Sequence, residues 1–171
     1  RQFWQIPDDR LLLETASTNC GENVDFSWDT LRRHGITPTS LIVVQDPTMQ
    51  RRTLATFARL RASNPAVPPC LSSPGYIPTL QKSADGADFV AAPGAGWSLD
   101  RFAALVLGEI PRLYDSPQGY GPAGRGFIVH VDIPDRVMDA WRRLTRRPSS
   151  VSRSTDSSPC SKGSRRKPST A

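Results

Sequence analysis

The chain has 171 residues, enough for one ordinary domain and too few for two. Its formal net charge of +6 is unevenly spread: residues 1–141 carry 13 basic and 15 acidic side chains, residues 142–171 carry 9 basic and 1 acidic. The basic character therefore belongs to the tail, and the mildly acidic remainder argues against a nucleic-acid-binding domain, whose basic stripe should lie on the fold.

The opening Arg1 is not preceded by Met, and Gln2–Ile6 reads like the end of a helix, so the expectation is a fragment whose upstream part is missing. Arg10–Glu14 is a short apolar run followed by polar residues, the pattern of a buried strand. Val24, Trp28 and Leu31 recur at helical spacing, and His34-Gly35 ends that helix, since Gly supplies the left-handed terminating residue. Leu41–Val44 is the clearest strand. Asp46 is placed to cap the next helix and Pro47 to open it, with Leu54, Phe57 and Leu60 on the buried side. Strand, helix, strand and helix in sequence, with apolar strands, predict a parallel sheet covered on both faces.

Residues 64–78 hold five prolines and read as loop, with a short strand around Cys70-Leu71. Asp88–Ala91 is another short strand, and Gly94-Ala95-Gly96 a turn. Ser98 caps a helix through Phe102, Leu105, Val106 and Leu113, which Pro111 should kink or end. Phe127–Val131 reads as a strand, and Pro134 opens a helix carrying Val137, Met138, Trp141 and Leu144. From Pro148 onward Ser, Arg, Lys and Pro dominate, and such a tail cannot bury enough apolar surface to order itself. The expected domains are thus an α/β unit over residues 1–147 and a disordered basic tail over 148–171.

Cys20, Cys70 and Cys160 are too far apart for a zinc or redox pair, and their odd number argues against a disulfide framework. Reduced thiols in a cytoplasmic protein are expected. The longest apolar run beside a predicted helix, Phe102–Leu107, is far short of a membrane span, so no membrane segment is expected in this chain.

Two stretches have the character of binding loops. Ser17-Thr18-Asn19-Cys20-Gly21-Glu22-Asn23 lies between a predicted strand and a helix, where open parallel sheets bind ligands and helix N-termini present free N–H groups. Asn19 and Glu22 also stand at capping-box spacing, which holds a helix end without any ligand, and from the residues alone that is the stronger reading. Gln45-Asp46-Pro47-Thr48-Met49-Gln50-Arg51-Arg52 again follows a strand. Arg51 or Arg52 in a first helical turn opposes the macrodipole by about 0.3–1 kcal/mol, a placement suited to a bound carboxylate or phosphate. A solvated arginine pair, or an ion pair to Asp46, accounts for the same residues. Gly119-x-Gly121-x-x-Gly124 spells a dinucleotide fingerprint, but it follows a helix and contains Pro122, where the fingerprint needs a strand before and a helix after. His34 suits a helix C-terminus, and His130 is a strand residue of unknown partner. No Gly-x-Ser-x-Gly elbow supports a hydrolase.

The same stretches carry a family resemblance. Phe3-Trp4-x-Ile6-Pro7, Ser17–Asn23, Val43–Thr53, Gly108-Glu109-x-Pro111-Arg112-Leu113, Gly119-Tyr120-Gly121-Pro122, Gly124-Arg125 and Phe127–Asp132 look like the corresponding segments of the YdcF family, within the wider SanA/ElyC/YdcF-type domain. The resemblance runs from Arg1 to about Trp141 and covers the C-terminal two-thirds of the family's length. It implies a Rossmann-like α/β fold, helices on both faces of a parallel sheet, and S-adenosylmethionine as bound cofactor, with no reaction named. Carried over residue by residue, the implied cofactor contacts are Asn19, Glu22, Asn23, Gln45, Asp46 and Arg51. Charge complementarity sets Arg51 near the methionine carboxylate, and Glu22 or Asp46 near the ribose hydroxyls or the ammonium. The family's upstream strand and its Gly-containing loop are absent here, and the tail departs from the family. The expected function is binding of this small-molecule ligand. The alternatives are a methyltransferase-like enzyme of the same fold with an unidentified acceptor, and a truncated product without function.

Overall fold

The computed structural model describes residues 4–84, 86–90 and 98–146. The predicted basic tail, Cys160, the turn at Gly94–Gly96 and the first three residues lie outside them.

The chain is a mixed α/β structure. After a 3-10 turn at Asp8–Arg10, helix α1 spans Cys20–Arg33, strand β1 Leu41–Gln45, helix α2 Gln50–Ser63 and strand β2 Cys70–Pro74. Strands β3 (Thr79–Ser83) and β4 (Gly86–Val90) come next, then helices α3 (Leu99–Leu113) and α4 (Asp135–Thr145). β1 and β2 pair in parallel, from Leu41 opposite Cys70 to Gln45 opposite Pro74, with α2 as the crossover. β3 and β4 form an antiparallel hairpin.

Side-chain alternation along β1 sends Val43 into the buried side, where α2 packs on both strands. Ile42 and Val44 point the other way and, with Leu71 of β2, are more than 60% exposed. The described residues therefore cover one face of this parallel pair. A second core lies between α2, α3 and the segment before α4: Ala55, Leu113, Ile128 and Val131 are buried together, with Tyr120, Val129 and Ile133 against them.

Local chemistry accounts for most element ends. Asn19 caps α1, its side chain accepting from the Glu22 N–H at 3.0 Å. Gly35, at φ 67°, stops the helix, as the sequence predicts. Ser98 caps α3 by accepting from the Arg101 N–H at 3.2 Å. Pro111 lies inside α3, two residues from its end. A proline there cannot donate to the carbonyl of Leu107 one turn back. That carbonyl instead accepts the Trp141 indole N–H at 3.0 Å, so the vacancy left by Pro111 docks α4 onto α3.

Three expectations are corrected, and one strand was not expected. Arg10–Glu14 makes no strand: its backbone has no ladder partner among the described residues, Leu13 is exposed, and the Glu14 carboxylate instead accepts from the Ala16 and Ser17 N–H groups in a turn. Phe127–Val131 is likewise not a strand. Its N–H groups go to the Tyr120 carbonyl and to Ala55 of α2, and Ile128 and Val131, three apart, enter the core. Helix α2 begins at Gln50 rather than Pro47, because Asp46 to Met49 forms a turn closed by the Asp46 carboxylate on the Thr48 N–H. β3 arises within polar, exposed sequence that carries no alternating signal.

Trp141→Phe keeps an aromatic ring, though a smaller one, and removes the donor, leaving the Leu107 carbonyl without it. It should cost about 1–2 kcal/mol in urea unfolding followed by far-UV circular dichroism. An unchanged midpoint would mean that solvent satisfies this carbonyl.

Candidate functional site

Two cavities meet at the N-terminus of α1. The larger, about 450 Å³, lies between α1, α2 and the loop after α3. Asn19, Cys20, Gly21, Glu22 and Asp25 line it from the α1 side, Arg52, Thr56 and Arg59 from α2, and Tyr120 and Gly126–Ile128 from the loop. The smaller, about 210 Å³, shares Asn19 and Cys20 and adds Ser17, Asn23, Thr53 and Gln45, the last residue of β1. The site thus sits where a strand C-terminus and a helix N-terminus converge, as ligand sites of open α/β sheets do.

Arg52 and Glu109 anchor the larger cavity. The guanidinium donates through Nε and Nη2 to the two carboxylate oxygens at 2.6 and 3.1 Å, and the side chains are only 13% and 7% exposed. Burial opposes the charge on Arg52, but the Glu109 hydrogen bond and its negative charge outweigh it, with a smaller contribution from Cys20, so Arg52 is held above its ordinary range. Glu109 also meets Arg112 at 3.4 Å. Arg59 is held more loosely, its Nη2 lying 3.3 and 3.5 Å from the two Asp25 oxygens. Its Nε is buried without a hydrogen-bond partner among the described residues.

The third wall is aromatic. The Tyr120 ring meets Phe127 edge-on at 5.5 Å between centroids, with Arg52 and Arg125 at 5.9 and 5.7 Å. The glycines of the fingerprint-like stretch shape this wall. A Cβ on Gly119 would collide with the Tyr114 carbonyl, and one on Gly124 with the Gly119 and Ser116 carbonyls. Their spacing is demanded by a tight loop, not by a phosphate.

The structure distributes the residues expected from sequence. Asn19 lines both cavities, Glu22 the larger, and Asn23 and Gln45 the smaller. Part of their polar capacity is already used. The Glu22 carboxylate accepts the Thr18 N–H and hydroxyl at 2.8 Å each, which holds it below the ordinary carboxylate range. Gln45 accepts the Asp46 N–H at 2.8 Å, and Asn23 reaches Ser17 at 3.5 Å. Asp46 lines neither cavity; its carboxylate accepts from Thr48 and from the Tyr76 hydroxyl. Arg51 is exposed and lines neither, since one residue of helical rotation gives the cavity position to Arg52. Sequence reasoning did not single out Arg59, Asp25, Tyr120 or Phe127. Arg52, Thr56 and Arg59 at helical spacing, facing Glu22 and Asp25 three apart, were the available signal. No group of His, Cys, Asp and Glu side chains that could hold a metal ion occurs among the described residues. No helix among them is long and apolar enough to cross a membrane.

No family model matches the chain. It is similar to the uncharacterized protein SCO4629 of Streptomyces coelicolor, 28% identical over 139 residues that make up 81% of this chain and 54% of that protein. The chain therefore spans about half the length of the relative it matches.

Glu109→Gln should destabilise the protein by about 3 kcal/mol in urea unfolding, because Arg52 is left buried without its counter-charge. The double change Arg52→Met with Glu109→Leu should recover most of that loss. If the single variant unfolds at the wild-type midpoint, the pair does not join α2 to α3.

Proposed function

We propose that this chain is an S-adenosylmethionine-binding module of the YdcF type, and that β1, α2 and β2 are part of a wider Rossmann-like sheet. The observation that carries the reading is the junction of the two cavities, which sets three chemistries around one space at a strand C-terminus. An aromatic wall, Tyr120 and Phe127, offers stacking to an adenine ring. The carboxylates Glu22 and Asp25 suit ribose hydroxyls or an ammonium, and Arg59, whose buried Nε is unpaired among the described residues, suits a carboxylate. The neutral lining of the smaller cavity, Asn19, Asn23 and Gln45, supplies directional hydrogen bonds. A volume of several hundred Å³ with convergent polar groups is that of a small-molecule site. The family resemblance of residues 17–23 and 43–53 supports the same ligand. Within this reading Arg59 takes the carboxylate-binding part that charge complementarity alone assigns to Arg51.

Titration of the full chain with S-adenosylmethionine in a calorimeter should give saturable binding. Arg59→Ala should weaken it at least tenfold through loss of a charged hydrogen bond, and Arg51→Ala should leave it unchanged. The absence of saturable binding would sink the proposal, while equal losses from both variants would reject the assignment of Arg59. Labelled methyl groups leaving the bound cofactor would move the reading from binder to enzyme.

A further inference from the structure

His130 stands between two carboxylates. Its Nδ1 lies 2.9 Å from Asp115 Oδ2 and its Nε2 lies 3.1 Å from Asp132 Oδ1. A neutral imidazole has one N–H, so both contacts are hydrogen bonds only in the doubly protonated ring. Asp115 is also the hub of the glycine loop. Its Oδ1 accepts the Ala123 N–H at 2.7 Å, and a Cβ on Gly121 would fall 2.5 Å from the same oxygen, so the chain passes directly over this carboxylate. The carbonyl of Tyr120, in the middle of the loop, accepts the Phe127 and Ile128 N–H groups at 2.8 and 3.1 Å. A chain of contacts therefore runs from the His130 ring through Asp115 to the aromatic wall of the larger cavity.

We propose that His130 is the positioning residue of this wall: as imidazolium it clasps Asp115 and Asp132 and holds the glycine loop, with Tyr120, against the cavity, and on losing a proton it keeps at most one uncharged hydrogen bond, which weakens its hold on Asp115 and loosens the loop. The proposal deepens the reading of the cavity as a ligand site and, in its effect on ligand, rests on it. The charged groups acting on the ring are Asp115, from the loop after α3, and Asp132, two residues along its own segment. Asp115 first and Asp132 second hold the imidazolium above the ordinary histidine range, and the His130 hydrogen bond in turn holds Asp115 below the ordinary carboxylate range. The clasp is therefore complete below the ordinary histidine value and is lost as pH rises through the higher folded value, while at the acid end the Asp115 contact is lost only as pH falls below the ordinary carboxylate range.

Nuclear magnetic resonance on the wild-type chain tests this, with His130→Gln as the control. The His130 ring should titrate above the ordinary histidine value. The Ala123 amide, corrected for base-catalysed intrinsic exchange, should exchange about threefold faster at pH 8.5 than at pH 6, the size expected of a half-exposed ion pair. The dissociation constant for S-adenosylmethionine should rise by a similar factor over that window, and His130→Gln should flatten both profiles. A ring titrating at the ordinary value, with corrected exchange constant across the window, would overturn the clasp. A titrating clasp with constant affinity would overturn its coupling to the cavity. A titrating clasp with no ligand bound at pH 6 would sustain the clasp and overturn the ligand reading alone.

Discussion

The bidentate pair between Arg52 and Glu109 is the joint on which the rest of the structure depends. It ties α2, the crossover of the parallel strand pair, to α3, 57 residues later in the chain, in a place where both side chains have lost most of their water. Removing either charge alone leaves the other stranded, which is far costlier than the pair's own net contribution. The pair also sets register. Ala55 lies three residues beyond Arg52 and Leu113 four beyond Glu109, and these two residues belong to the core cluster one turn further along each helix. A planar guanidinium gripping both oxygens permits little sliding, so the ion pair selects how α2 and α3 face one another and the apolar contact supplies the burial.

The segment beyond α3 is shaped by the hydrogen bond that this helix cannot make. Pro111 leaves the Leu107 carbonyl open for Trp141, and the chain turns at Tyr114 into a loop so tight that Gly119 and Gly124 have no room for a side chain. This loop delivers Tyr120 to the cavity and, through the irregular stretch after it, Ile128 and Val131 to the core. One short segment therefore serves both the core and the cavity wall: close backbone approach fixes Gly119 and Gly124, the Asp115 side chain crowds Gly121, and a positive φ suits Gly126.

Part of this was legible in the sequence. α1 and β1 announce themselves because a cap, an apolar spacing and a β-branched run agree with one another at each. The runs at Arg10–Glu14 and Phe127–Val131 carry the same apolar signal as β1 but lack a ladder partner among the described residues, and an isolated run of five residues cannot declare whether it will find one. β3 was illegible for the opposite reason: it is exposed on both faces and owes its pairing to β4. At the site, the loop of residues 17–23 was placed between a predicted strand and a helix; the helix N-terminus is there, but the strand is not. The choice between Arg51 and Arg52 was not legible, because neighbouring helical residues differ by about 100° in direction and only the packing of α2 decides which faces inward. Tyr120 and Phe127 lie in irregular chain, where periodicity has nothing to say.

The two cavity arginines then divide their labour by how fully each is already satisfied. Arg52 has a carboxylate at 2.6 Å on its Nε and a second oxygen on its Nη2, so a ligand would have to compete with Glu109 for it. Arg59 holds Asp25 at the outer limit of hydrogen-bond length and keeps a buried Nε unpaired among the described residues, and an unpaired buried donor already carries its desolvation cost. An incoming anion that meets this donor recovers that cost as well as gaining a charged hydrogen bond, whereas at Arg52 it could only exchange one carboxylate for another. Of the two cavity arginines Arg59 is therefore the less fully satisfied among the described residues, and the Arg52–Glu109 pair holds the helix that carries it.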